Sequence, residues 1–319
     1  MLKYVILIIG FILLIKGADF FVSGAASVAK KLSIPTIIVG MTVVAMGTSL
    51  PELAVSTVAS FNGSNEMAYS NVVGSNFFNI LVVIGACALF APVVVHKKTM
   101  KKEFPFSIII TVLLCALGMI GMKVGRVDGL IFVIIFIFFI VFMVKSALDN
   151  RKAEKILSNN GAEDESEVQD NLPIWRCIIY IVGGAAAVAF GGEMVVNSAS
   201  DIAVSFGMSQ TLVGLTICSI GTSLPELVTS IAAARKKDVD MALGNAIGSN
   251  IFNILFVLGI ASVVRDVAVT SQNIIDVILL TAVNIVVWIF CRTKWKIDRF
   301  EGIVMIAVYA VYMVYICIR

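Results

Sequence analysis

The seven residues GTSLPEL occur at 47–53 and again at 221–227, inside a longer match. A shift of 174 residues aligns GMTVVAMGTSLPELAVS (40–56) with GLTICSIGTSLPELVTS (214–230) at ten of seventeen positions. The same shift, without a gap, aligns NVVGSNFFNIL (71–81) with NAIGSNIFNIL (245–255) at eight of eleven. Apolar bias alone does not put Gly, Pro, Asn and Glu in register, so the chain is a duplication. Whatever one half folds into, the other half must repeat.

Both copies lie in apolar runs, where a proline beside a glutamate is costly. The chain is 59% hydrophobic and 14% charged, with mean hydropathy +1.01, which places it among polytopic membrane proteins. A helical span needs roughly 20 apolar residues. Ten stretches qualify: 2–32, 35–61, 67–90, 104–121, 127–146, 174–206, 209–234, 241–264, 271–291 and 300–318. They are too long and continuous for barrel strands, so the expected fold is all-α. The first run resembles a secretory leader, with small residues around Ala25 to Ala29, but Lys3 is its only leading base. The 174-residue shift also pairs Asp19 with Glu193 and Val22 with Val196, which marks that run as mature structure. The six cysteines show no CxxC pair and read as small buried residues without redox or zinc chemistry.

Five spans in each half force the second half to enter from the opposite side, so the repeats are expected to be inverted. Charge supports this independently, because cytoplasmic loops collect Lys and Arg. With both ends outside, eighteen basic residues fall in cytoplasmic segments and five outside, with Lys16 inside a span. The division is then 1–148 as the first five-helix repeat, 149–173 as a cytoplasmic acidic linker, and 174–319 as the second repeat. Glu163, Asp164, Glu165, Glu167 and Asp170 in the linker lack the spacing and turn glycine of a calcium loop, so a solvated flexible segment is expected.

Within the second span Pro51 removes an amide donor and Gly47 loosens the same turn, so a break is expected near Thr48 and Ser49. Carbonyls around Ala45, and around Ser219 in the second copy, would then need partners that lipid cannot supply. A buried carboxylate at Glu52 costs about 3 kcal/mol by insertion scales, and spans two, three, seven and eight offer no nearby Lys or Arg. A proton or a metal ion must compensate it. The third span adds Ser75 and Asn79 on one helix face, while Asn76 falls off that face and reads as structural. Inverted symmetry would bring Thr48, Ser49, Glu52, Ser75 and Asn79 opposite Thr222, Ser223, Glu226, Ser249 and Asn253 near the midplane, with helices 2, 3, 7 and 8 kinked or broken there. This oxygen-only set suits calcium or sodium. Lys16 and Asp19, three apart, are expected to pair with each other, and Glu193, with Phe190 in the pairing position, must find another donor or a proton.

These blocks, GTSLPE with GSNFFN and GTSLPE with GSNIFN, resemble the alpha repeats of the cation/calcium exchanger superfamily, most closely its sodium/calcium exchanger branch. The resemblance extends over nearly the whole chain. It implies antiport in which sodium influx drives calcium export, several sodium ions per calcium, as helices 1 and 6 slide past an eight-helix body. It also assigns ligands to Thr48, Ser49, Glu52, Ser75, Asn79, Thr222, Ser223, Glu226, Ser249 and Asn253, with the carbonyls of Ala45 and Ser219. Some prokaryotic relatives carry Asp where this chain has Asn253, which leaves two charges here instead of three. Calcium and sodium are cargo; no cofactor and no nucleic-acid partner are expected. The only partner expected besides the ions is membrane lipid, and a monomer should suffice.

Two alternatives share the same residues. A proton-driven calcium exchanger would use a glutamate as proton carrier, and a cation channel would need sites weak enough to leave quickly. An enzyme is disfavoured, since the one histidine, His96, sits in a basic loop and no GxSxG elbow accompanies Ser49 or Ser223. The charge asymmetry makes a direct prediction about orientation. Alkaline phosphatase fused after Arg319 is expected to be active, and the same enzyme inserted within 149–173 inactive; the opposite pattern of colour development would reverse the topology.

Overall fold

The computed structural model describes residues 2–63, 65–97, 99–159, 173–207 and 219–318. The apolar runs form helices because lipid offers no partner for an open backbone. In order, they are α1 (Leu2–Leu32), α2 (Thr36–Thr48), α3 (Leu50–Phe61), α4 (Glu66–Phe90), α5 (Thr99–Met119), α6 (Arg126–Asn159) and α7 (Ile174–Ser205). After a helical turn at Ser219–Gly221 come α8 (Leu224–Arg235), α9 (Val239–Val264), α10 (Ser271–Lys294) and α11 (Arg299–Ile318). Eight of these are long and apolar enough to cross a membrane, and α2 with α3 forms a ninth, bent by 47°. The run expected at 209–234 is described only from Ser219 onward.

The offset of 174 recurs in the elements. Leu50–Phe61 matches Leu224–Arg235, and Asn65–Phe78 matches Val239–Phe252. Each of the latter pair passes into a π-helical turn at the corresponding asparagine, Asn79–Val83 and Asn253–Leu258. Wider π turns recur at functional sites because they displace a side chain from the regular helical face. The core is α4 and α9: 78% of the apolar stretch of each is buried, against 22–39% in the other six helices long enough to cross a membrane.

Two seams assemble the rest. α1 and α7 run antiparallel with glycines at the contact, so their backbones approach closely. A Cβ added at Gly184 would lie 2.6 Å from the Phe21 amide nitrogen, and one at Gly191 would lie 2.6 Å from that of Leu14. Two short ribbons then tie the halves together. β1 (Val93–Val94) pairs antiparallel with β4 (Lys296–Ile297), and β2 (Lys123–Val124) with β3 (Val267–Ala268). Both ribbons join a strand of the first half to one of the second.

The structure corrects the linker in one respect. α6 continues as helix to Asn159, so residues 149–159 of the expected flexible segment are helical. The sequence RKAEKIL at 151–157 is rich in strong helix formers, so the polar stretch extends the helix beyond the apolar span Arg126–Asp149. The acidic cluster at 163–170 lies outside the described residues. At the α1/α7 seam, Gly191→Leu is expected to lower stability by about 1–3 kcal/mol through overpacking, while Gly183→Ala, with nothing within 4 Å of its added carbon, should be silent. Thermal unfolding of the purified protein in detergent distinguishes the two.

Candidate cation site

The motif's local structure explains its composition. α3 and α8 each carry proline and glutamate in the first turn, Pro51 and Glu52 in one and Pro225 and Glu226 in the other. Proline is tolerated there because the first-turn amides have no intrahelical acceptor. A carboxylate in that turn sits at the positive end of the helix dipole. Ser49 and Ser223 precede the helices with non-helical angles (φ −88°, ψ 13° and φ −94°, ψ 5°), and neither side chain caps its own helix.

Their hydroxyls cross to the other half instead. Ser49 Oγ donates to Glu226 Oε1 at 2.6 Å, and Ser223 Oγ donates to Glu52 Oε1 at 3.0 Å. Ser75 Oγ reaches the same Glu52 oxygen at 3.4 Å. Both glutamates are wholly buried, and among the described residues no lysine or arginine pairs with either. Each carboxylate is thus solvated on one oxygen by neutral donors, chiefly from the opposite half, and its Oε2 has no hydrogen-bond partner.

The amides and the remaining hydroxyls complete the set. Ser249 Oγ, both polar atoms of Asn79 and Oδ1 of Asn253 are buried without hydrogen-bond partners, whereas Asn253 Nδ2 donates to Asn76 Oδ1 at 3.2 Å. Asn76 and Asn250 cross-link α4 and α9, each amide donating to the other's carbonyl at 3.3 and 3.2 Å. Burying several oxygens without partners is expensive, and a hard cation is the group that oxygen ligands of this kind accommodate. Among the described residues no group of three His, Cys, Asp or Glu could hold a metal. The side chains named here offer hydroxyl, carboxylate and amide groups, whereas nitrogen- and sulfur-seeking metals prefer imidazole and thiolate.

The chain matches the family profile for sodium/calcium exchanger protein over residues 2–145 and 177–318. This chain belongs to the sodium/calcium exchanger family. It is 38% identical over 312 residues to the putative antiporter CaxA of Alkalimonas amylolytica, covering 97% of this chain and 96% of that one. It is 28% identical to the sodium/calcium exchanger MaX1 of Methanosarcina acetivorans, covering 98% and 97%. Its fold superposes on the solved sodium-calcium exchanger NCX_Mj with a TM-score of 0.85 at 28% identity, covering 98% of both chains. Family and fold are those of transporters, not of catalytic enzymes.

Several expectations for the exchanger site change in detail. The Ala45 carbonyl is not left open by the break: it accepts the Ser49 amide at 3.1 Å and the Thr48 hydroxyl at 3.3 Å. The acceptor that Pro51 deprives is four residues earlier, at Gly47. In the second copy the Ser223 amide donates to Ile220 O at 3.1 Å, one residue beyond Ser219. Lys16 and Asp19 do not pair. Lys16 is exposed, and Lys236 at the end of α8 donates to the Asp19 carbonyl and to Ser23 Oγ, both at 2.6 Å, with the Asp19 carboxylate 4.0 Å away. Glu193 is exposed and lines a large cavity with Glu66, Asn71 and Thr222.

Sequence reasoning missed Asn71 and Asn245, although both open matched blocks at the 174-residue offset. Asn71 Nδ2 donates to Ser56 Oγ at 3.0 Å and lies 3.5 Å from the Glu52 carbonyl; Asn245 Nδ2 donates to Ser230 Oγ at 2.9 Å and to the Glu226 carbonyl at 3.3 Å. Exact register outside the motif was the available signal. Asn250→Ala removes one of the two cross-links between α4 and α9 and is expected to cost about 1–3 kcal/mol. Asn76→Ala, which also strips the acceptor from Asn253, should cost more. Chemical denaturation in detergent ranks them, and equal or negligible losses would refute the assignment.

Proposed function

We propose that this protein is a sodium/calcium antiporter working by alternating access. Ten membrane helices form two inverted five-helix repeats, with both ends outside the cell membrane and the 149–173 segment in the cytoplasm. The observation that carries this reading is the reciprocal crossing of Ser49 to Glu226 and Ser223 to Glu52, both acids being wholly buried and, among the described residues, paired with no lysine or arginine. Two carboxylates balance the charge of one calcium ion, or of two sodium ions among the same oxygens. Because the two loads need the same groups, they compete, and competition for one site is the basis of exchange.

The cation ligands in this reading are Thr48, Ser49, Glu52, Ser75 and Asn79 with Thr222, Ser223, Glu226, Ser249 and Asn253, assisted by the carbonyls of Ser219 and of Ala45, the latter once the Thr48 hydroxyl it accepts turns to Val44 O or Asn245 Oδ1. The partnerless oxygens of Glu52, Glu226, Asn79, Asn253 and Ser249 support it. So do the 174-residue register and the names borne by MaX1 and NCX_Mj, both sodium/calcium exchangers. The glycines of the α1/α7 seam bring the two backbones into direct contact, which couples those two helices so that they move as one body. A monomer holds the whole site.

Liposomes containing the purified protein and loaded with sodium are expected to take up external calcium, and potassium loading should not substitute. Equal uptake under a pH gradient without sodium would establish proton coupling, and calcium flux with no counter-ion at all would indicate a channel. Glu52→Gln and Glu226→Gln each remove half of the compensating charge. Each should lower exchange by about 10²- to 10³-fold, the scale of breaking a buried charge pair. Wild-type flux in either folded variant would exclude that carboxylate.

A further inference from the structure

Asn71 and Asn245 do more than hold their own halves. Each uses its Nδ2 on groups of its own repeat, and a backbone carbonyl can only accept, so the amide orientation follows from that carbonyl. The Oδ1 atom is then turned to the opposite repeat. Thr48 Oγ1 donates to Asn245 Oδ1 at 3.2 Å, and Thr222 Oγ1 donates to Asn71 Oδ1 at 3.5 Å. These are two clasps of the same design between the halves.

The clasps are in different states. Thr48 and Asn245 are buried, at 1% and 0% exposure. Thr222 and Asn71 are only half-buried and lie in the wall of a cavity of 1030 Å³, together with Glu66 and Glu193. That cavity adjoins the start of α4 and the last turn of α11, where Ile316 also lines it. Asn71 is near the start of α4 and Asn245 near the start of α9, and inverted repeats place those starts on opposite membrane faces. One clasp therefore borders the cavity and the other is buried.

Thr48 also shows how a clasp can release at low cost. Its hydroxyl has one proton and three acceptors in range: Asn245 Oδ1, Val44 O at 3.1 Å and Ala45 O at 3.3 Å. The proton can turn from the opposite half to its own helix without leaving a buried donor unmade. Such a donor has two satisfied arrangements.

We propose that Asn71–Thr222 and Asn245–Thr48 are paired clasps, one on each side of the cation site, and that the two asparagines are positioning residues that set which side is open. This rests on the alternating-access reading above. A short clasp favours closure of its side: the Asn245–Thr48 clasp is made at 3.2 Å, and the Asn71–Thr222 clasp beside the cavity is stretched to 3.5 Å, so loss of either favours the state open on its side. Asn245→Ala opens the cytoplasmic side and Asn71→Ala the external side.

The test compares half-saturating calcium concentrations measured from the two sides of oriented liposomes. A hydrogen bond of ordinary strength biases the equilibrium about fivefold. The external-to-internal ratio is expected to rise about fivefold in Asn245→Ala and to fall by a similar factor in Asn71→Ala. Damage to the site itself moves both sides together and leaves the ratio unchanged. Thr48→Val should reproduce the Asn245→Ala shift and Thr48→Ser should not, which covers the case in which the asparagine variants fail to fold. Labelling of Ala54→Cys, on the cavity wall, by an impermeant maleimide in a cysteine-free background should slow in Asn245→Ala with no ion gradient imposed. Slower labelling without sodium/calcium exchange would leave the clasps standing and overturn only the ion assignment. Ratios and labelling rates that match wild type, or that move in the same direction in both asparagine variants, would overturn the clasps.

Discussion

A carboxylate deep in a membrane protein must be neutralised or solvated, and this chain solves the problem twice with the same device. The serine three residues before each glutamate turns away from its own helix and donates to the glutamate of the other half. Neither half can satisfy its own acid in this way. The site consequently exists only at the contact between repeats, and the rest of the architecture serves to bring the two contacts together.

That dependence accounts for several features that look unrelated. α4 and α9 are the most buried spans and are joined directly by the Asn76 and Asn250 amides, which fixes their registry against each other. The short ribbons exchange strands between halves on two separate loops. By contrast, α1 and α7 meet mainly each other along a smooth glycine seam. The frame around the acids is thus tied across the halves at several points, while the two-helix unit beside it packs backbone to backbone at its glycines.

The asymmetry within this symmetric plan is equally informative. The two halves have nearly the same chemistry at the centre, yet Asn71 and Thr222 line a cavity while Asn245 and Thr48 are buried. Lys236 ties α8 to Asp19 and Ser23 on α1, while the counterpart of Asp19, Glu193, stands exposed in the cavity. The repeated parts are the same in sequence and differently engaged in the fold.

The amino-acid order alone determined the membrane class, the duplication, the proline-glutamate breaks and the oxygen character of the buried set. Each of these follows from side-chain type, spacing or register, which are local properties. Tertiary structure decided which serine meets which glutamate, since a contact 171 or 177 residues apart in the chain depends on how repeats pack. It also gave Asp19 to Lys236 in place of the nearby Lys16, because helical spacing permits a pair but the facing helix determines whether a better donor is present. Asn71 and Asn245 belong to the same class: their repetition was legible, but their reach across the interface was not, because an amide has both donor and acceptor atoms and only its surroundings decide where each one points.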